Sequence, residues 1–292
     1  MPSGLRRLYS FGSDFKHNLA AAFAMRAVEG LHYENQAALR QLRARAESKS
    51  SPDLFVLGSS PSVLNLDEKR LAHIRQSFSI GVGFWVFHPL VADAYYFEGV
   101  PDEQGWDLWR EYMALRSSGP VKPLLLVEPV QTIRSHSRSH LSDLLRQFEG
   151  QAYPTRIFAA NAASAAALRL AIAGHRAGLT GSRLMHFRSA VSTAMDIAAR
   201  LPSVERVILV GVDLRDRRYF WNSMGIQYKW PGYQNAQQVP HSTVVRQGEF
   251  DNLPIIDFIR EFNRNALKPR GKSLLVSSSE SVLAEFLPIW SH

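Results

Sequence analysis

Asp53 to Leu57 is an apolar run of strand length that feeds the small-residue turn Gly58-Ser-Ser-Pro-Ser62, and a polar helical pattern from Asp67 to Ile74 follows. Strand, tight turn and helix in that order predict the opening βα unit of an α/β domain. Gly58 permits a positive φ or a close backbone approach. The amides and hydroxyls of Ser59, Ser60 and Ser62 beside a helix N-terminus favour an anion, so a nucleotide would sit at this turn. The turn is neither Gly-x-Gly-x-x-Gly nor a Walker A loop, and a plain strand-to-helix connection is the competing interpretation.

The alternation continues along the chain. Strands are expected at Phe78 to Phe84, Ala94 to Phe97, Lys122 to Val127, Arg156 to Asn161, Arg206 to Asp213 and Ser273 to Ser277. Helices are expected at Gln104 to Leu115, Ala162 to Gly174, Arg188 to Arg200 and around Ile255 to Phe262, with a last turn or two at Val282 to Leu287. This order predicts a single Rossmann-like α/β domain over residues 53–292, with a mainly parallel sheet flanked by helices. Arg206 to Asp213 ends in Gly-x-Asp, and a carboxylate at the carboxyl end of a parallel strand is where open α/β sheets hold ligands.

Residues 1–52 differ. Leu5, Leu8, Phe11, Phe15, Leu19 and Phe23 recur at spacings of three and four among Arg6, Arg7 and Lys16, and Leu31, Leu39 and Leu42 stand beside Arg40, Arg43 and Arg45. An amphipathic basic helical extension is predicted, ending in the linker Ser48 to Pro52. Such a helix attaches to an anionic membrane surface, or packs on its own domain or on a second subunit of a homo-oligomer. The net charge of +8 favours acidic partners. The aromatic-basic interleaving of an RNA-binding surface is not evident, so nucleic acid is not an expected partner.

The chain has no cysteine, which excludes disulfides and thiolate metal sites and suits a reducing cytoplasm. The longest stretch without Asp, Glu, Lys or Arg, Gln76 to Ala92, contains Gly81, Gly83, His88 and Pro89 and is too short to span a bilayer. His136 and His140 have the i, i+4 spacing of a metal pair, but the surrounding serines and arginines make a basic loop the better reading. No Asp-x-Asp occurs; Glu249 and Asp251 come nearest, and there a solvated helix start is expected.

Four landmarks fall in fixed order: the loop Gly58-x-x-Pro61-Ser62; Arg188 opening a Ser-rich helix; Asp213 with Tyr219 shortly after; and His241-Ser242. This order resembles the bacterial sialyltransferases of glycosyltransferase family 42, single-domain GT-A-like enzymes that use a CMP-activated sialic acid without a metal. The likeness covers roughly residues 53 to 290. It implies that Gly58, Ser59, Ser60 and Ser62 touch the nucleotide, that Asp213 lies by its ribose, and that Tyr219, helped by Arg215, holds the leaving phosphate. It further implies that Arg188 faces the sugar, that Ser189 and Ser192 hold the donor carboxylate, and that His241 is the general base. No cofactor is implied. The partners would be a CMP-activated donor and a glycan or glycolipid acceptor, at the inner face of a bacterial membrane during lipooligosaccharide assembly.

Departures from the family pattern bear on the donor sugar. Ser59 and Ser60 replace an Asn and a Gly of the first loop, and Gly81 to Gly83 and Glu98-Gly99 stand where asparagines are usual. Two other readings stay open: an ATP- and magnesium-dependent enzyme that resembles archaeal-type pterin diphosphokinases, and a catalytically inert relative that binds nucleotide or a partner protein.

Overall fold

The computed structural model describes residues 35–99, 103–120, 122–128, 138–215, 218–226 and 253–291. The stripe from Leu5 to Phe23, His136, the loop holding His241, and the pair Glu249 and Asp251 lie outside them.

The described elements run α1 (Asn35–Glu47), β1 (Asp53–Leu57), α2 (Glu68–Gln76), β2 (Phe78–Val82), β3 (Ala94–Phe97), α3 (Glu103–Arg116), β4 (Leu124–Val127) and α4 (Arg138–Gln147). They continue with β5 (Ala152–Pro154), β6 (Ile157–Ala159), α5 (Ala165–Arg176), β7 (Leu184–His186), α6 (Ala190–Arg200), β8 (Arg206–Val210), α7 (Ile255–Phe262) and β9 (Ser273–Val276). Seven strands form one sheet in the order β5-β4-β3-β2-β1-β8-β9, with every neighbouring pair parallel. The fold is therefore α/β and Rossmann-like, as the alternation predicts. β6 and β7 make a separate two-stranded parallel sheet.

Both faces of the large sheet are covered, which is why its strands are apolar at nearly every position. Leu54, Val56, Ile80, Tyr96, Leu126 and Leu209 belong to one core, shared with α1, α5, α6 and α7. Phe55, Leu57, Tyr95, Phe97, Leu125 and Ile208 belong to the other, rich in tryptophan and shared with α2, α3 and α4. In α6, ten of eleven residues are buried, so its small side chains (Ala190, Ser192, Ala194, Ala198) serve close packing against the sheet.

Local signals place the helix starts. The Asp67 carboxylate accepts the Arg70 N–H at 2.8 Å, and the Ser164 and Ser189 hydroxyls accept the N–H groups of Ala167 and Val191. At the base of the sheet the buried Asp53 takes two hydrogen bonds from Arg206, at 2.6 and 2.8 Å, and meets His73 Nε2 at 2.7 Å. This locks β1 beside β8 in register.

Of the readings open for the extension, packing on its own domain is the one α1 realises: it is built into the core through Ala38, Leu42 and Ala46, and Asn35 binds the backbone of Arg156 and Ser182. Elsewhere the structure differs from the sequence expectation: β5 and β7 were not expected. The basic loop ending at His140 gives way to helix at Arg138, because Leu141 and Leu144 bury against the second core. Among the described residues no helix is long and apolar enough to cross a membrane.

Candidate functional site

The chain leaves β1 toward β2 on one side, while β8 lies on the other, so the strand order reverses between β1 and β8. A crevice forms beyond the carboxyl ends of the strands at such a point. Here the two turns press together: the Gly58 N–H donates to Val210 O at 2.7 Å and the Ser60 N–H to Gly211 O at 2.9 Å. A Cβ at Gly58 would stand 2.4 Å from Gly211 O, and one at Gly211, where φ is +62°, would stand 2.4 Å from Val63 Cγ2. Of the two uses sequence allows for Gly58, close backbone approach is the one realised.

The resulting cleft holds about 340 Å³ and is lined by Gly58, Ser59, Ser60, Glu98, Arg188, Ser189 and Tyr219 among others. Arg188 adopts φ +59°, a left-handed conformation costly for a side chain of this size, and its Nη1 donates to Leu253 O at 3.1 Å. Burial pulls its pKa below the usual arginine value. Tyr219 stacks on Trp221 with ring centroids 4.1 Å apart, fixing the phenol at the cleft wall.

Not every residue singled out in the sequence reaches the cleft. Ser62 is buried: its hydroxyl donates to Asp213 Oδ1 at 2.6 Å and its N–H to Asp213 Oδ2 at 3.2 Å. Asp213 thereby clamps the turn after β1 to the end of β8. With Ser60, Arg215 and Arg218 it lines a separate small cavity. Ser192 is fully buried, accepting the Phe187 N–H at 2.7 Å and donating to Ser189 O at 2.6 Å. Both serines are committed to the scaffold. His241 lies outside the described residues.

The structure adds a carboxyl that sequence reasoning passed over as a side-chain participant. Glu98 follows β3 at the cleft wall, one third of its side chain exposed, and burial pushes its pKa up to about 7 against the opposing hydrogen bond from the Ala190 N–H. His186 Nδ1 lies 3.9 Å from Glu98 Oε2 and 3.0 Å from Thr193 Oγ1, and burial holds this imidazole down to about 4, neutral at pH 7. Burial and the charges of Glu128 and Glu98 raise the Tyr96 phenol well above its ordinary value. The signal was present: Glu98 is the first charged residue after an apolar parallel strand, the rule that picked out Asp213. Chemically, the described residues of the cleft offer the Arg188 cation, the Ser59 hydroxyl, and a carboxyl that gains or loses its proton near neutrality. Among the described residues no group of three His, Asp or Glu side chains is placed to hold a metal ion.

No protein-family model, curated protein or solved structure matches this chain. The cleft's chemistry therefore rests on its own residues.

Glu98 also has a consequence for stability. Its pKa in the folded chain lies above that of an unfolded carboxyl, so the folded state keeps a proton the unfolded state releases, and stability falls as pH rises from about 4.5 to about 7. Glu98→Gln removes this penalty. Discounted for the exposed third of the side chain, the gain above pH 7 is about 1 kcal/mol, a Tm rise of about 2–4 °C. Thermal unfolding at pH 8 and pH 4.5 checks it: the gain appears at pH 8 and vanishes at pH 4.5, and an equal Tm difference at both would refute the assignment.

Proposed function

We propose that this protein is a metal-independent inverting glycosyltransferase that moves sialic acid or a related nonulosonic acid from a CMP-activated donor to a surface glycan or glycolipid. The observation that carries the reading is the meeting of Ser59, Ser60, Arg188 and Tyr219 in one cleft at the strand-order reversal, although they come from separate parts of the chain. Displacing CMP from a tertiary anomeric carbon creates an oxocarbenium-like centre whose own carboxylate offsets part of the charge. A phosphate monoester leaving group can then be stabilised by an arginine and hydroxyl donors. In this scheme the Gly58 to Ser60 turn receives the nucleotide, Tyr219 the phosphate and Arg188 the sugar, while His241 takes the acceptor proton. Glu98, its pKa raised by burial to about 7, offers in its protonated form an O–H donor where the resembling enzymes place an asparagine.

Calorimetric titration with CMP, UDP and ATP, each with magnesium and with chelator, tests the reading. CMP should bind with chelator present, and Tyr219→Phe should weaken it by about 0.5–1.5 kcal/mol through one lost hydrogen bond. Binding that requires magnesium, or that favours ATP, would replace this reading with the diphosphokinase-like one. The acceptor's location implies a cytoplasmic enzyme working at the inner face of a membrane.

A further inference from the structure

At the far end of α6 from the cleft lies a second cavity, of about 220 Å³, where Arg176, Arg200 and Arg270 converge. Each guanidinium is held by one edge and leaves N–H donors over. Arg200 donates through Nε to Asp196 and through Nη2 to Arg183 O, Arg176 through Nη1 to Asn265 O, and Arg270 through Nη1 to Ala266 O. Among the described residues the only carboxylate lining the cavity is Asp196, already shared with His175. Burial and then the charge of Arg176 pull the pKa of Arg270 down, opposed by Asp196 and reinforced by Arg200.

The surface next to this cavity is apolar. Leu170 on α5 is 75% exposed, and Leu179, in the turn that follows, is 82% exposed. Ala166, Ala167, Ala173 and Ala177 are exposed on the same helix and its end. No acidic residue occurs between Glu149 and Asp196. Leucines that face water beside converging arginines, where the carboxylates Asp196 and Glu261 are already paired with Arg200 and Arg169, match a surface that is anionic at the phosphate level and hydrocarbon just beneath. A soluble phosphate would account for the arginines and leave the leucines unexplained. The extension also joins the domain here, since Asn35 binds Ser182 O.

We propose that the α5 face docks on an anionic phospholipid surface, a head-group phosphate entering the cavity between Arg176, Arg200 and Arg270 while Leu170 and Leu179 enter the acyl boundary. The proposal does not depend on the identity of the sugar donor. It puts the cleft at the opposite end of α6, turned away from the lipid contact.

Sedimentation of the full chain with phosphatidylcholine vesicles, with and without phosphatidylglycerol, tests it. The parent should pellet only with the anionic vesicles. Arg176→Gln with Arg270→Gln should lower the partition coefficient by about 25-fold, roughly fivefold for each basic side chain near an anionic surface. Lys69→Gln with Arg75→Gln, the same charge change on α2 across the sheet, should lower it less than threefold. Leu170→Gln with Leu179→Gln should lower it about tenfold without any change in charge. All three pairs are exposed, and unchanged thermal unfolding checks that each variant folds. Failure of the parent to bind, or equal losses in the two charge-changing pairs, would overturn the proposal. An unchanged leucine variant whose arginine counterpart has lost inorganic phosphate binding would overturn it too, making the cavity a soluble-phosphate site.

Discussion

Asp196→Ala should lower the unfolding free energy by about 3–5 kcal/mol, the cost of removing one partner from a buried ionic cluster. Asp196 is 3% exposed on α6, with Oδ1 at 2.9 Å from His175 Nε2, while Oδ2 accepts the Met185 N–H at 2.9 Å and Arg200 Nε at 3.1 Å. The substitution strands a buried backbone donor in the middle of β7 and leaves Arg200 beside His175 with no negative charge between them. The pH dependence separates this from a simple cavity. Burial pushes the Asp196 carboxyl up, but its His175 hydrogen bond, the charges of Arg200 and His175, and the Met185 N–H outweigh it, so its pKa ends below 3.8. A depressed folded pKa contributes stability that is present above the unfolded value and lost as pH falls through the folded one. The difference between parent and variant in urea unfolding should therefore be full at pH 7 and shrink below about pH 4. A loss under about 1 kcal/mol at pH 7 would show that the cluster contributes little beyond packing.

His241→Ala should cut sugar transfer from CMP-sialic acid by about 10²–10⁴-fold, the range that a positioned general base supplies. Imidazole as a residue type is largely neutral at pH 7 and free to accept the proton of an acceptor hydroxyl as the anomeric carbon is attacked from the face opposite CMP. Because the residue would act on the acceptor and not on the nucleotide, CMP affinity and Tm should stay at parental values. Turnover within threefold of the parent, with folding intact, would remove His241 from the mechanism.

The succession of strands and helices was legible because burial on both faces of a parallel sheet writes itself locally, as in Asp53 to Leu57 and Arg206 to Val210. The helices expected from Ala162 and Arg188 start two or three residues later, at Ala165 and Ala190, where Ser164 and Ser189 cap them; neither serine was marked as a cap. The short strand β7, Leu184–His186, was missed because three residues carry no period.

The site divided differently. Sequence by itself marked Gly58, Ser59 and Ser60, because small residues after an apolar strand are a local sign of a turn facing a crevice, whereas Arg188 and Tyr219 were marked only by the family resemblance; all five line one cleft. It could not separate them from Ser62 and Ser192, whose hydroxyls are consumed by partners that only the register of β1 beside β8 and the start of α6 bring within reach; Asp213 stands 151 residues from Ser62. Nor could it say that α1 belongs to the core, since a stripe of leucines announces that a helix face must be covered without naming what covers it. The protonation of Glu98 was decided by tertiary structure alone: a carboxyl's pKa depends on how much water the surrounding elements remove, and α6 and β7, which enclose it, follow some ninety residues later in the chain.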